Sequence, residues 1–402
     1  MRMVSHLAWQ HIAEAALLNY ARGGRMWRRG RAMNQFTQWM RGVVLATVGT
    51  VTLGTGTAIA ADNAHTLLGV DCAAPPIWHC PDSDCPASLV TQQGATVETK
   101  TRRPFFLDCP SNYKPGDKVN ILLSLHGYGS FGNWQRHYFP AMDVKDKYRL
   151  VVVTPNAPTR FWSEADDEYL HNIVDLVVGT VGKENVMHFI LAGHSQGGLT
   201  SNRIICTDYF KDKVDVRISL SGGRVGPVTW ANRGFGAGGP QVYKSGEPYT
   251  PPPPFHLPPE PPGPPGGACD YSFIFSNGEY ETIPAATSPL ADKFACAPRV
   301  QLADVIDPKP GYVWDPSRQD PGTDGWGHYP KSGRALVYQF PHCKDGRVIA
   351  DIVKLQKGHT EGYEPNITDK IIELAVSAKG GKIATGTWTP PPPPPPPRGP
   401  FG

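Results

Sequence analysis

The chain has 402 residues, 40% of them hydrophobic, which is enough for a sizeable core, fits one catalytic domain with appendages as well as two domains, and is not the composition of a membrane bundle. The formal net charge of +3 divides unevenly. Residues 1–61 carry seven arginines and no lysine against the single acid Glu14, a balance of +6 that leaves −3 for the rest. A near-neutral remainder lacks the strongly basic face that nucleic acid requires, so no nucleic-acid partner is expected.

In chain order, the arginines precede an apolar, uncharged run from Val43 to Ala60 that ends in Ala58-Ile59-Ala60-Ala61. A basic segment, a short apolar segment and a small-residue site together describe a secretory signal peptide over 1–61, with Met33 as an alternative start. The competing reading is a retained anchor, but about 18 residues rich in Gly and Thr stand at the lower limit for spanning. The expectation is therefore a secreted or periplasmic protein with no stable membrane insertion after cleavage. All eight cysteines (Cys72, Cys80, Cys85, Cys109, Cys206, Cys269, Cys296, Cys343) lie beyond that site. An even count in an exported chain points to disulfides, whose pairing cannot be deduced from sequence. His79 beside Cys80 and Cys85 suggests zinc as the alternative, yet the second ligand pair that zinc sites usually show is missing. No metal or organic cofactor is expected.

Residues 62–115 read as a cysteine-bearing, loop-and-strand N-terminal extension, and the catalytic domain as 116–380. Strands are predicted at Val119–Leu125, Leu150–Thr154, Val186–Ala192, Val216–Leu220 and Tyr271–Phe275, with a further one at Ile349–Leu355. Helices are predicted over 164–181, from Gly197 to about Asp208, and from Asn366 to Ala378. Short buried strands alternating with helices give an α/β class, with a mostly parallel sheet covered by helices on both faces. A proline-rich insertion at about 222–270, holding Pro251–Pro254 and Pro258–Pro265, interrupts the order at the place where a cap would sit. Residues 381–402 form a second proline-rich tail that reads as a linker.

The segment Leu191–Gly198 reads Leu-Ala-Gly-His-Ser-Gln-Gly-Gly. A G-x-S-x-G match is weak alone, but this one leaves a strand and enters a helix, which is the setting of a nucleophile elbow. Ser195 is the candidate nucleophile. A base must follow it in the order Ser, acid, His. His359 lies after an apolar strand and before the last helix, and is preferred over His342, His328 and the proline-embedded His256. The acid is expected in the turn after Tyr271–Ser276, where Glu279 and Glu281 compete, with Asp292 and Asp304 as outlying alternatives. The oxyanion hole needs two backbone N–H donors, each worth about 3–4 kcal/mol. Gln196, following the nucleophile, and Tyr128, in the loop His126-Gly127-Tyr128-Gly129, are the candidates, with His126 anchoring that loop. Trp134 and Trp162 are read as aromatic walls of a substrate pocket or, alternatively, as core residues.

With these residues placed, the chain resembles exported esterases of the polyhydroxybutyrate depolymerase and feruloyl or acetylxylan esterase type. The matching segments are LLSLHGYGS, LVVVTPNAP, the Trp162–Asp167 segment, LAGHSQGG, FIFSNGEYE and KGHTEG, spanning about 118–362. The resemblance implies an α/β-hydrolase fold and an acid three residues after the glycine of its turn, which is Glu281 here, where the family usually has Asp. It also implies a small-molecule or polysaccharide-linked ester as substrate. The proline insertion has no counterpart in the family pattern, and no polymer-gripping module is visible. Competing functions are a serine peptidase of the same fold class and a non-catalytic extracellular binding protein.

Overall fold

The computed structural model describes residues 65–73, 95–224, 268–281, 283–315, 327 and 329–391. These belong to the second of two units, Ala60–Gly402, while the first, Met1–Ile59, lies outside the described residues. Outside them too lie the leader, Cys80 and Cys85, His256 and His328, most of the proline insertion, and the tail from residue 392.

A small hairpin, β1 (Thr66–Leu67) with β2 (Val70–Asp71), precedes the main sheet. The strands that follow are β3 (Ala95–Val97), β4 (Pro104–Asp108), β5 (Val119–Leu125), β6 (Leu150–Pro155), β7 (Val186–His194), β8 (Val216–Leu220) and β9 (Ser272–Gly278). Next come β10 (Val300–Gln301), β11 (Val305–Asp307), β12 (Gly333–Phe340) and β13 (Ile349–Lys354). Among the described residues these eleven, β3 to β13, form one sheet in the order β10-β12-β13-β9-β8-β7-β5-β6-β4-β3, with β11 also on β12. The six central strands, β6, β5, β7, β8, β9 and β13, run parallel, and antiparallel strands flank them at both edges.

The helices are α1 (Gly132–Tyr138), α2 (Asp167–Val181), α3 (Gln196–Ile204), α4 (Pro289–Lys293), α5 (Pro365–Ser377) and α6 (Lys382–Thr385). Alternate strand residues feed two cores. Leu123, Val151, Val153, Leu191 and Phe273 pack with Ile173 and Val177 of α2 on one face. Leu122, Val152, Ile190, Ile218, Ile274 and Ile352 pack with Ile367, Ile371 and Ile372 of α5 on the other. Burial of both faces is why these strands read as continuous apolar runs.

Several elements were not predicted, α1, α4, α6, β10 and β11 among them, and two differences have a clear local cause. The helix after Ser195 ends at Ile204 rather than near Asp208, because Cys206 turns away into a disulfide and the Thr207 hydroxyl donates to the Ile204 carbonyl. Strand β12 was not foreseen. Only Ala335, Val337 and Phe340 of its eight residues are buried, too sparse a pattern beside a Gly- and Pro-rich loop to announce a strand.

Among the described residues three disulfides are formed: Cys72–Cys109, Cys206–Cys269 and Cys296–Cys343. The second joins the end of α3 to the chain entering β9 and closes a separation of 63 residues that contains the proline insertion. Closing a loop of that size restricts the unfolded chain most. Replacing Cys206 and Cys269 together by serine is therefore expected to remove about 2–4 kcal/mol of stability, read as a lowered urea midpoint. An unchanged midpoint would show that the bridge adds nothing to the fold.

Candidate active site

Ser195 stands between β7 and α3 with φ 50° and ψ −117°, a left-handed conformation that costs a non-glycine residue about 1–3 kcal/mol. The surrounding structure holds it there. Its N–H donates to the Leu220 carbonyl at the end of β8 (2.9 Å), and its own carbonyl accepts from Leu199 N–H (3.0 Å). Strand and helix approach so closely that a Cβ on Gly193 would lie 2.2 Å from the Gly197 carbonyl oxygen. Glycine at both positions is thus a steric requirement of the turn. The first amides of α3 have no acceptor within the helix, and its dipole sets partial positive charge beside the Ser195 side chain.

His359 lies in the loop between β13 and α5, 2% exposed. Its Nδ1–H donates to Glu281 Oε2 at 2.7 Å, which leaves Nε2 as the ring's proton acceptor. Glu281 is fully buried, and its other oxygen, Oε1, accepts from Gly278 N–H (2.8 Å) and Ser221 Oγ–H (2.7 Å). Three donors on one buried carboxylate offset the cost of removing it from water. Glu279 points elsewhere, accepting from Gln356 N–H at 2.9 Å. Asp304 is paired with Arg334, Asp292 is exposed on α4, and His342 is exposed beside the Cys296–Cys343 bridge. The structure therefore brings Glu281 to His359 and none of the other candidate acids. Between the Ser195 turn and the His359 loop, a direct hydrogen bond comes from His194, whose Nε2–H donates to the His359 carbonyl at 3.0 Å.

The loop carrying Tyr128 is fastened from three sides. His126 is buried; its Nδ1–H donates to the Gly127 carbonyl (2.8 Å), and its Nε2 accepts from Ala157 N–H (3.1 Å). Burial lowers its pKa to about 4, so the ring is neutral. The Trp162 indole N–H donates to the His126 carbonyl at 2.9 Å. The Gln196 side-chain amide then grips the Trp162 main chain twice, accepting from its N–H (3.1 Å) and donating to its carbonyl (2.9 Å). Both residues expected to supply oxyanion N–H groups thus sit on one hydrogen-bonded frame. Trp162, 3% exposed, is part of that frame rather than an open wall. Trp134 is half-buried on α1 and stacked on Tyr138 at 4.9 Å. The open aromatic surface beside the loop is instead Tyr128 (68% exposed) with Phe161 (41% exposed) edge-on at 5.7 Å. Sequence reasoning passed over Phe161 and Ser221, since neither residue carries a motif and each acts through what the fold sets beside it.

No protein-family model matches the chain, and no curated protein matches it. Solved structures do. An acetyl xylan esterase from Aspergillus awamori is 12% identical, with 70% of this chain and 96% of that chain covered and a TM-score of 0.36. A fluorophosphonate-binding serine hydrolase of Staphylococcus aureus is 18% identical, covering 31% and 54%, with a TM-score of 0.26. Est1E of Butyrivibrio proteoclasticus is 21% identical, covering 32% and 51%, with a TM-score of 0.24. The matched region spans about half the length of the last two. At such TM-scores the fold of this chain stands on its own strand order.

The buried His126 makes stability depend on pH. Unfolded, a histidine titrates near ~6.5, whereas the folded ring does so at about 4, so the unfolded state binds more protons between these values. Its contribution is fully present above the unfolded pKa and is lost at about 1.4 kcal/mol per unit as pH falls towards 4. His126→Asn, which keeps a donor for the Gly127 carbonyl, should lose about 2 kcal/mol less than the wild type between pH 6.5 and 5 in urea unfolding. Equal slopes in the two proteins would exclude His126 as the source.

Proposed function

We propose that this chain is an exported serine hydrolase of the α/β-hydrolase type, acting on carboxylic esters through Ser195, His359 and Glu281. The observation that carries this reading is the buried Glu281–His359 hydrogen bond at the C-terminal ends of adjacent parallel strands, with the His359 carbonyl hydrogen-bonded by His194, the residue before the strained Ser195. In an open α/β sheet that end is where ligands bind. Export is supported by the arginine-led leader pattern and by three disulfides, which persist in oxidising compartments. Among the described residues no helix is long and apolar enough to cross a membrane.

In the proposed mechanism Ser195 Oγ attacks the ester carbonyl as its proton passes to His359 Nε2. Glu281 holds Nδ1–H and stabilises the imidazolium that forms. The oxyanion is received by the N–H groups of Gln196 and Tyr128. His359 then protonates the departing alkoxide, and water activated by the same ring hydrolyses the acyl-enzyme. Acetyl, feruloyl or hydroxyalkanoate esters are the substrate classes proposed, as small molecules or linked to polysaccharide. The Tyr128–Phe161 pair is the proposed contact for the group flanking the scissile bond, taking the place expected of Trp162.

A fluorophosphonate probe should label wild-type protein and not Ser195→Ala, and short p-nitrophenyl esters should be cleaved in preference to peptide p-nitroanilides. An unlabelled wild type would sink the hydrolase reading in favour of a binding protein, and preferred amide cleavage would favour a peptidase. Glu281→Gln should lower kcat by about 10⁴-fold, the scale seen when a triad acid is neutralised, whereas Glu279→Gln should stay within about two-fold. Tyr128→Ala and Phe161→Ala keep the backbone N–H groups. Each should raise KM for aryl esters several-fold with kcat nearly unchanged, and an unaltered KM would remove the pair from the binding surface.

A further inference from the structure

His194 belongs to the elbow motif, yet the proposed chemistry gives it no task. The ring is 3% exposed, and burial holds its pKa well below the usual histidine value, so it is neutral. Its Nε2–H is directed at one atom, the main-chain carbonyl oxygen of His359, at 3.0 Å. That oxygen accepts a second hydrogen bond, 2.9 Å long, from the hydroxyl of Tyr138, which is completely buried at the end of α1. A carbonyl oxygen has two lone pairs, and both are taken here by buried side-chain donors from separate elements. The rings form a continuous packed column: Trp134 on Tyr138 at 4.9 Å, Tyr138 on His194 at 3.9 Å, and His194 on His359 at 4.8 Å. On the far side of His194, Nδ1 has no hydrogen-bond partner and faces Gly127, where a Cβ would intrude to 2.8 Å. An unsatisfied buried nitrogen carries a desolvation cost that a purely apolar filler would avoid.

We infer that His194 is a positioning residue: with Tyr138 it holds the main chain of His359, and so sets the base relative to the serine that follows His194 directly. The inference rests on the reading of His359 as base. Glu281 holds the imidazole at Nδ1 and leaves the backbone of residue 359 to be located by other groups. The two hydrogen bonds on the carbonyl do this, and one of them comes from the residue covalently joined to the nucleophile. Displacement of the elbow is then transmitted to the base through the His194 side chain. Apolar packing at position 194 would fill the space without supplying that link. The role also accounts for glycine at 127, since a larger residue would press on the imidazole.

The test compares His194→Leu, which removes the donor, with His194→Gln, which returns an N–H at the reach of Nε2, and with Tyr138→Phe, which removes one oxygen and keeps the ring. kcat and KM are measured separately on a short p-nitrophenyl ester, with thermal melting to verify folding. His194→Leu should lower kcat by about 10–100-fold with KM within about two-fold, and His194→Gln should recover most of it. Tyr138→Phe should lower kcat several-fold at unchanged KM. The downfield Nδ1 proton of His359 in the NMR spectrum should move in the Leu variant and return with Gln. Wild-type kcat in His194→Leu or Tyr138→Phe would overturn the inference, as would equal losses in the Leu and Gln variants. Should His194→Leu fail to fold, the Gln and Tyr138→Phe variants decide it by the same criteria. Wild-type protein that neither cleaves esters nor takes the fluorophosphonate label would overturn the functional reading itself, and the inference with it.

Discussion

The 2.7 Å hydrogen bond between Glu281 and His359 joins two groups that the rest of the molecule is arranged to bury. A carboxylate in an apolar interior is costly unless every lone pair is directed at a donor. Here the donors come from three places: the His359 loop, the Gly278 backbone at the end of β9, and Ser221 just beyond β8. Ser221 itself has φ 53°, another left-handed residue, held by its N–H on the Ser276 carbonyl. Positive φ at Ser195 and at Ser221 thus marks two turns of the candidate site, the second of which supports the Glu281 carboxylate.

Parallel pairing makes this geometry possible. β9 and β13 are neighbours in register, with Gly278 opposite Lys354, so the turn after one and the loop after the other emerge side by side. Tyr280 N–H donates to the Lys357 carbonyl (3.0 Å), stitching the turn to the loop. Below His359 a buried set of charges braces the loop further. Lys354 donates to the Glu361 carbonyl, and Lys357 bridges Glu364 at 3.0 Å and Glu361 at 3.3 Å. Removing one partner of such a set strands a buried charge, typically a loss of about 3–5 kcal/mol, so the loop is specified by electrostatics as well as by packing.

Much of the site was legible in the chain. Val119–Leu125 and Leu150–Thr154 are mostly apolar because both faces of a parallel sheet are buried, and the Ser195 turn declared itself by glycines that the backbone cannot exchange. Between Glu279 and Glu281 the residues alone did not choose, since both are glutamates in one turn; the choice came from the family resemblance, and Glu281 is the one in contact with His359. Trp162 shows the opposite limit. A tryptophan near a site reads equally as wall or frame, and only its 2.9 Å bond to the His126 carbonyl separates the two. Strand β12 escaped because half-burial near the end of the sheet, beneath only the short β10 and β11, leaves a pattern too weak to stand above its loop surroundings.

By itself the sequence determined the features that depend on local chemistry: the α/β alternation, the strand–serine–helix turn, and the order serine, acid, histidine. These follow from steric and periodic rules acting over a few residues. Tertiary structure decided which cysteines pair, which carboxylate reaches the imidazole of His359, and which side chains hydrogen-bond its carbonyl. Each of those depends on distances between segments tens to hundreds of residues apart, as with Tyr138 and His194 on the carbonyl of His359. Such distances are set by how the strands pack, and no short stretch of sequence contains them.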